Sequence, residues 1–341
     1  MAITTGGATG TPVAPPAPAA PPDQPGHPAS TGGRESRRGA TGPRREAAWR
    51  RRDRRWGYVF VAPQLVGMAL FVLLPFVASL VLAFASWNGL TELEWVGFEN
   101  FTAQLQDELL LRSIVNTLLI AVITVPVGLG LAVVIAVALE RLRTRTLYLI
   151  LFFAPVVTST VAVAMIWQQL FRADGVLSTT IANVFGVAPP DWLNDPSLAL
   201  LAVCIVSIWS SLGLNVIIFL AGLQNISPSV IEAARIDGAG AWRLFRNIRL
   251  PLLSPIVFFS SIVAFISSLQ TFDTVFVLTA NAGPDNATRT IVYHIYDLGF
   301  GRFEFGPSSA ASVILLLLTL VITAIQFGAQ KKFVHYEDDA A

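Results

Sequence analysis

Long apolar runs alternate with short polar segments along this chain. Six of the runs come close to the roughly 20 residues that a helix needs to cross a bilayer. The predicted spans are 57–86, 114–139, 147–170, 197–222, 253–280 and 309–328. Pro155 lies inside the third span, where neighbouring helices and hydroxyl groups can satisfy the carbonyl group that proline leaves free. The predicted fold class is therefore an all-α integral membrane protein with six transmembrane helices.

The composition agrees with a membrane protein and shows how the chain is divided. Charged residues make up 13% of the 341 residues, whereas soluble domains carry about 25%. The first part of the chain is rich in Pro, Gly, Ala, Thr and Arg and has no apolar period, so we expect it to be disordered. The predicted divisions are a cytoplasmic N-terminal arm (1–48), a basic juxtamembrane segment (49–56), a transmembrane domain (57–328) and a cytoplasmic C-terminal tail (329–341).

Lysine and arginine positions predict the orientation of the spans. If both termini are cytoplasmic, 19 of the 23 lysines and arginines fall on inner segments, ten of them between Arg34 and Arg55. Such a bias toward the cytoplasm is the rule in membrane proteins. We therefore predict a multi-pass protein of the cell (cytoplasmic) membrane with cytoplasmic N- and C-termini. The arginines at 50–55 adjoin the first span, where a basic group meets anionic membrane lipid.

The third outer loop, 281–308, is rich in aromatic residues. Aromatic side chains at the ends of spans usually form part of the interfacial belt. A surface that docks a receptor is the other interpretation, and the sequence leaves both open. The residues are Tyr293, Tyr296, Phe300, Phe303 and Phe305.

A polar insert separates the fourth and fifth apolar runs and predicts a short helix. Ser227-Pro228 suits a helix start, because proline is favoured at the first helical position. Ser229 and Glu232 also fit the S-x-x-E capping box, in which Glu232 would cap its own helix. Gly238 and Gly240 are expected to break this helix.

A second helix is predicted to begin near Ala241. Trp242, Phe245, Ile248 and Leu252 recur at spacings of three and four, and arginines form a separate stripe. A basic amphipathic helix beside a membrane normally lies in the interface, so we expect that position here. Pro251 and Pro255 are expected to end the helix and turn the chain into the fifth span.

The insert resembles the EAA loop in permease subunits of binding-protein-dependent ABC importers. The matching elements are Glu232-Ala233-Ala234, Asp237-Gly238-Ala239, Phe245, Ile248, Leu250-Pro251 and Pro255. The segments 96–101, 116–118, 272–279, 283–284 and 288–296 are similar to the maltose and glycerol-3-phosphate first-permease branch of the carbohydrate-type permeases. The resemblance runs from about 56 to 333. It departs from the family at Asn281-Ala282, where a run of glycines is common.

The resemblance implies the fold of a type I ABC importer permease, with a cytoplasmic coupling loop at about 223–252 and a coupling helix at 231–239. It also implies the partners: a second homologous permease subunit, an ABC ATPase dimer, an extracytoplasmic solute-binding protein and a carbohydrate substrate. In this interpretation Glu232 forms an ion pair with the ATPase, Ala233 and Ala234 pack closely against it, and Gly238 forms the bend. The other ATPase-coupling candidates are Asp237, Ala239, Phe245 and Pro251.

Polar residues at membrane depth are candidates for the substrate pathway. They are Asn215 in the fourth span and Gln270 and Asp273 in the fifth. Hydrogen bonding between helices is the alternative role for such residues in lipid. We prefer that alternative for Ser210 and Ser211.

Several functions are excluded or disfavoured by what the sequence lacks. It has no G-x-x-x-x-G-K-[ST] phosphate loop, no H-E-x-x-H, no G-x-S-x-G and no metal-ligand cluster. We therefore predict a non-catalytic subunit without a cofactor, metal or nucleic acid, whose energy comes from ATP hydrolysed on a partner chain. One alternative is an ABC permease for a non-carbohydrate solute. A less favoured one is an ATP-independent secondary carrier, which usually needs ionisable groups in its spans; Asp273 is the one convincing candidate.

Overall fold

The computed structural model describes the backbone of residues 43–333 and the side chains of residues 56–330. Residues 1–42 of the predicted N-terminal arm and residues 334–341 of the predicted tail lie outside the described residues. The first helix begins at Pro43, so 43–48 are helical although we expected disorder there. Alanine, glutamate and arginine in that stretch are good helix formers. Residues 43–65 belong to a separate unit, and the packing described below concerns the unit that begins at Val66.

The described chain is almost entirely helical. Its first half contains α1 (Pro43–Met68), a π-helical turn (Ala69–Leu73), α2 (Leu74–Leu82), β1 (Ala85–Ser86), β2 (Glu94–Trp95), α3 (Glu99–Gln106), α4 (Glu108–Glu140), α5 (Arg145–Val157), α6 (Thr160–Phe171) and α7 (Val176–Phe185). Its second half contains α8 (Pro196–Gln224), α9 (Pro228–Ile236), α10 (Ala241–Leu244), a π-helical turn (Phe245–Arg249), α11 (Leu250–Leu269), α12 (Asp273–Leu278), a 3-10 turn (Pro284–Asn286), α13 (Ile291–Tyr296), a π-helical turn (Asp297–Gly301) and α14 (Phe305–Phe333).

The six predicted spans correspond to five long apolar helices and one bent pair. The continuous spans are Trp56–Leu82, Glu108–Glu140, Pro196–Gln224, Ala241–Leu269 and Phe305–Gln330. Side-chain caps fix two of the starts. Asp107 accepts a hydrogen bond of 2.8 Å from the Leu109 N–H, and Asp195 accepts one of 2.8 Å from the Ser197 N–H, as expected for N-cap residues.

The third span is bent, which the prediction of one helix at 147–170 missed. The helices Arg145–Val157 and Thr160–Phe185 meet at 103°. Thr158 and Ser159 adopt extended backbone angles there. Proline has no N–H to donate to the Leu151 carbonyl one turn before it. At the bend itself the Thr158 N–H bonds the Pro155 carbonyl, and the Thr158 hydroxyl donates to the Ala154 carbonyl at 2.8 Å.

The fifth span differs from the prediction at both ends. It begins at Ala241, so the predicted interfacial helix is the first part of the span itself. The Leu250 N–H bonds the Phe245 carbonyl in a widened π-helical turn, and this turn accommodates Pro251, whose ring would clash with a regular preceding turn. The span ends at Leu269 rather than 280, because Gln270 leaves helical geometry at φ −98° and ψ 12°.

The core is built from α4, α8, α11 and α5. Buried Val125, Leu129, Phe219 and Leu253 belong to one apolar cluster. Glycine permits the closest approach, because a Cβ on Gly213 of α8 would overlap the Phe152 carbonyl oxygen of α5. Helices in lipid commonly associate through small residues of this kind.

Candidate functional site

The helix α9 begins as predicted at Pro228 but is capped differently. Ser227 is the N-cap residue, and within the described residues its side chain makes no capping hydrogen bond. Its hydroxyl instead lies 2.7 Å from the Ser229 hydroxyl. The predicted capping box of Ser229 and Glu232 is therefore wrong, because Ser229 lies inside the first turn of the helix. Glu232 is not needed to cap its own helix.

Gly238 ends α9 in a tight turn. Its φ is +79°, a left-handed conformation that glycine adopts without strain. The Gly238 N–H donates to the Arg235 carbonyl at 3.1 Å, and the Ala239 N–H donates to the Ala234 carbonyl at 2.9 Å. These two bonds make a Schellman motif, so the bend predicted at Gly238 has a defined geometry.

One face of α9 is presented to the outside. Glu232, Ala233, Ile236 and Asp237 are exposed; we call them the α9 surface. Ile236 is 86% exposed. The sequence analysis did not select it as a coupling residue, although it lies next to Asp237, which was selected. Within the part of the chain that the structure describes, the Glu232 carboxylate forms no hydrogen bond or ion pair.

The other predicted coupling residues point toward the protein or support the bend. Ala234 is buried, and Ala239, Phe245 and Pro251 are half-buried. They therefore anchor the α9 surface to the spans, while Glu232, Ala233 and Asp237 remain accessible.

A cavity of about 270 Å³ lies between α4, α8 and α11. Most of its polar lining is hydroxyl groups, and the lining residues that the structure describes include none with a charged side chain. The polar members are Thr124, Ser207, Ser210, Ser211, Asn215, Ser260, Ser267, Ser268 and Thr271. We call this the hydroxyl cavity.

Hydrogen bonds show which groups of the hydroxyl cavity are engaged. Thr124 and Ser268 join α4 to α11, with their hydroxyl oxygens 3.1 Å apart. Ser211 donates to a carbonyl of its own helix at 3.2 Å, rather than to another helix as expected. Ser260 is buried, and its hydroxyl has no hydrogen-bond partner among the described residues. A buried hydroxyl without a partner is costly, which makes Ser260 a site for a bound polar group.

The three predicted pathway residues do not lie together. Asn215 lines the hydroxyl cavity, and its amide donates to the Ser211 carbonyl at 3.0 Å. Gln270 caps the end of α11 and Asp273 begins α12; both are exposed and lie outside the cavity lining. The residues that were missed carried a signal, because Ser260, Ser267 and Thr271 recur at helical spacing on one face.

A buried polar network lies beneath the loop that follows the fifth span. His294 is fully buried, and its Nε2 donates to the Gln104 side-chain oxygen at 2.9 Å. Its Nδ1 therefore accepts from Arg289, whose Nη2 is 3.2 Å away. Arg289 also pairs with Asp297 at 2.6 Å. The network holds α3 against α13.

Charges around this network decide its protonation. Burial, reinforced by the Arg289 guanidinium, lowers the pKa of His294 to about 4, although Asp107 opposes that effect. Burial opposes ionisation of Asp297, but hydrogen bonds and charges from Arg289 and Arg302 hold the pKa of Asp297 below its usual value. The network is thus built around a neutral histidine and an ionised aspartate.

The aromatic residues of the same loop are partly used in internal packing. Tyr296 packs against Phe272, Phe276 and Phe300 with ring centroids 5.0–5.4 Å apart. Phe300 and Phe303 remain 67% and 59% exposed. The internal contacts account for Tyr296, while the exposed rings remain compatible with both interpretations given above.

The departure from the glycine run also has a structural consequence. Ala280, Asn281, Ala282 and Gly283 all have positive φ, between 37° and 74°. A left-handed conformation suits glycine and costs other residues about 1–2 kcal/mol each. A run of glycines would therefore fit this turn without strain, and the alanines here occupy it at a cost.

Sequence relatives cover most of this chain. Residues 126–334 match the family described as "Binding-protein-dependent transport system inner membrane component". The probable ABC transporter permease protein YesP of Bacillus subtilis (strain 168) is 34% identical and covers 84% of this chain and 94% of that protein. The lactose transport system permease protein LacF of Rhizobium radiobacter is 34% identical, with coverage of 81% and 94%. The sn-glycerol-3-phosphate transport system permease protein UgpA of Yersinia pestis is 35% identical, with coverage of 82% and 95%.

A solved structure shares the fold. A chain in the crystal structure of a bacterial ABC transporter involved in the import of the acidic polysaccharide alginate superposes with a TM-score of 0.74. The match covers 85% of this chain and 100% of that chain at 22% identity. The architecture is thus that of the all-α type I importer permease that the sequence predicted.

Proposed function

Because the chain belongs to the family of inner membrane components of binding-protein-dependent transport systems, we propose that it is the permease subunit of an ATP-driven importer for a sugar or polyol. The observation that carries the proposal is the hydroxyl cavity among α4, α8 and α11. The name of one relative, the lactose transport system permease protein LacF, agrees with it. The chain would form part of the pathway through which the solute crosses the membrane.

The lining of the hydroxyl cavity suits an uncharged polyhydroxylated solute. Hydroxyl and amide groups both donate and accept hydrogen bonds, as the hydroxyls of a sugar do. Ser260 offers a buried hydroxyl with no partner of its own among the described residues. One relative is named for sn-glycerol-3-phosphate, but a phosphate group would find no positive side chain in the described lining. A neutral solute is therefore the preferred substrate.

The α9 surface would dock on a separate ATPase dimer in the cytoplasm. Glu232 and Asp237 offer carboxylates to basic groups of that partner, and Ala233 allows its backbone to come close. Ile236 adds an exposed apolar contact. A second, homologous permease subunit would complete the pathway, and an extracytoplasmic solute-binding protein would deliver the solute. Both termini would lie in the cytoplasm, in agreement with the distribution of arginine.

Nucleotide would act on transport through the α9 surface. A ligand shifts a conformational equilibrium only by its differential affinity for the two states. The ATPase dimer would hold the α9 surface differently when its two subunits close on ATP, and the spans would follow from an inward-facing to an outward-facing arrangement. This chain would contribute no catalytic residue to hydrolysis.

A charge reversal tests the docking surface. In vesicles that contain the complete transport complex, Glu232→Lys should abolish solute uptake and solute-stimulated ATP hydrolysis, because it places a cation opposite the partner's basic groups. Glu94→Lys reverses a charge that is also exposed, on β2 just before α3, and should leave the assembly of the complex with its ATPase unchanged. Wild-type uptake by Glu232→Lys would refute the assignment of the α9 surface.

The solute class is tested at the cavity. Ser260→Ala and Asn215→Leu should raise the solute concentration needed for half-maximal uptake of a neutral disaccharide. Inhibition of uptake by sn-glycerol-3-phosphate but not by neutral sugars would favour a charged solute instead. Uptake driven by an ion gradient without nucleotide would favour a secondary carrier.

A further inference from the structure

A buried ion pair joins the segment after α9 to the end of α4. Arg249 is the last residue of the π-helical turn Phe245–Arg249, and its Nη1 lies 2.8 Å from Oε2 of Glu140. Arg249 is only 5% exposed, and the Glu140 side chain is 18% exposed. Glu140 is the final residue of α4, the helix that lines the hydroxyl cavity with Thr124.

The widened turn explains why this arginine is turned inward. Arg243 and Arg246 in the same segment are exposed, whereas Arg249 is buried. The π-helical turn changes the angular position of residues relative to a regular helix. A mid-helix π-helical turn is frequently found at functional sites, and here it brings a cation against α4.

Stability alone does not account for the pair. Removing two charges from water is costly, and apolar residues of similar volume at such a site are often as stabilising or more so. The Arg249 Nε and the Glu140 Oε2 form no hydrogen bond among the described residues, so the 2.8 Å contact is an ion pair without an aligned hydrogen bond and is not arranged for maximal stability. The attraction of opposite charges between two elements is the remaining property that an apolar pair would lack.

The surroundings of the pair suit the transmission of movement. Glu140 and Arg249 line an open groove of about 300 Å³, and α9 supplies its other side with Ile231, Glu232 and Arg235. The groove means that α9 is not packed flush against α4. A displacement of α9 reaches the start of α11 along the chain, through Gly238 and Gly240. It reaches α4 across the Arg249–Glu140 contact.

We propose that the Arg249–Glu140 ion pair is a joint that transmits displacement of the α9 surface to α4, and so to the hydroxyl cavity. Both are positioning residues, since they act through the helices they connect. The inference rests on the proposed function, because it requires that a partner moves the α9 surface. It adds a specific contact through which that movement reaches the solute pathway.

The test compares an apolar replacement with a charge exchange. In proteoliposomes that contain the complete transport complex, the double variant Glu140→Leu/Arg249→Met keeps the volume but removes the attraction between opposite charges. We expect it to assemble and unfold at the wild-type temperature, while solute moved per ATP hydrolysed falls about tenfold, within the range of coupling between linked sites. The exchange Glu140→Arg/Arg249→Glu should recover most of that ratio. Arg172→Met/Asp174→Leu removes an exposed ion pair elsewhere and is the matched control.

Three outcomes would overturn the inference. An apolar double variant with the wild-type ratio of solute to ATP would show that the ion pair is not needed. An apolar double variant that fails to assemble would show that the pair serves stability. An equal loss in the Arg172/Asp174 control would show that the effect is not specific. Failure of the proposed function itself looks different, because the wild-type complex would then show no nucleotide-dependent uptake.

Discussion

Replacing Gly238 with alanine tests whether the turn after α9 must be held in its left-handed geometry. A Cβ built at Gly238 meets nothing within 4 Å in the described part of the chain, so alanine adds backbone strain without a collision. That strain amounts to about 1–2 kcal/mol for an L-residue. Because it falls on the Schellman motif that ends α9, we expect the local opening equilibrium to rise roughly 5- to 30-fold.

Two measurements report this change. Amide hydrogen exchange across 228–239 in detergent-solubilised protein follows local opening directly and should accelerate by the same factor. Uptake by the reconstituted complex should fall, since a loosened α9 presents its surface in the docking geometry for less of the time. Gly238→Pro should abolish uptake, because it also removes the N–H that bonds the Arg235 carbonyl.

Gly240 provides the matched control. Its Cβ would likewise meet nothing within 4 Å of the described atoms, but its φ is −67°, which any residue adopts. Gly240→Ala should therefore leave exchange and uptake close to wild type. Gly238→Asn should behave better than Gly238→Ala, because asparagine tolerates the left-handed region. Equal exchange rates in Gly238→Ala and Gly240→Ala would refute the reasoning.

Three further predictions concern the loops and the buried network on the side of α3. Ala280→Gly should raise the midpoint of thermal unfolding by relieving about 1 kcal/mol of left-handed strain, whereas Ala173→Gly, at an exposed position without positive φ, should not. The pKa of His294, lowered from 6.5 to about 4, predicts lost stability as pH falls from about 6.5 to 4, because the unfolded chain binds a proton there that the folded chain does not; His294→Gln should flatten this pH dependence in thermal melts. Asn116→Leu removes two hydrogen bonds to loop carbonyls and should cost about 1–3 kcal/mol per carbonyl left unsatisfied, measured as a lower unfolding midpoint.

Hydropathy was sufficient to predict the number of spans, because an apolar run in lipid must satisfy its backbone N–H and C=O groups within a helix. It could not predict the bend in the third span, since the short hydroxyl stretch Thr158–Thr160 is also tolerated inside a membrane helix. The bend lies at Thr158 and Ser159, whose backbone is extended, and the Thr158 hydroxyl replaces its own N–H at the Ala154 carbonyl. The continuity of the fifth span was missed for a related reason, because Pro251 was expected to end a helix that a π-helical turn allows to continue.

The candidate site was predicted where its signal is local. The turn at Gly238 depends on residues close to it in sequence, and its geometry follows from glycine alone. The Glu140–Arg249 pair joins residues far apart in the chain, so no spacing rule reveals it. Ser260 was overlooked because a serine in lipid usually bonds a backbone carbonyl, and only the packing of three helices shows that its hydroxyl lacks a partner among the described residues.

The lining of the hydroxyl cavity has an electrical consequence. Moving one elementary charge across the membrane is worth about 2.3 kcal/mol for each 100 mV of membrane potential. The described lining residues carry only neutral side chains, so their own movement displaces no side-chain charge through the field. For a neutral solute, passage past these side chains should then proceed at the same rate in energised and in depolarised vesicles.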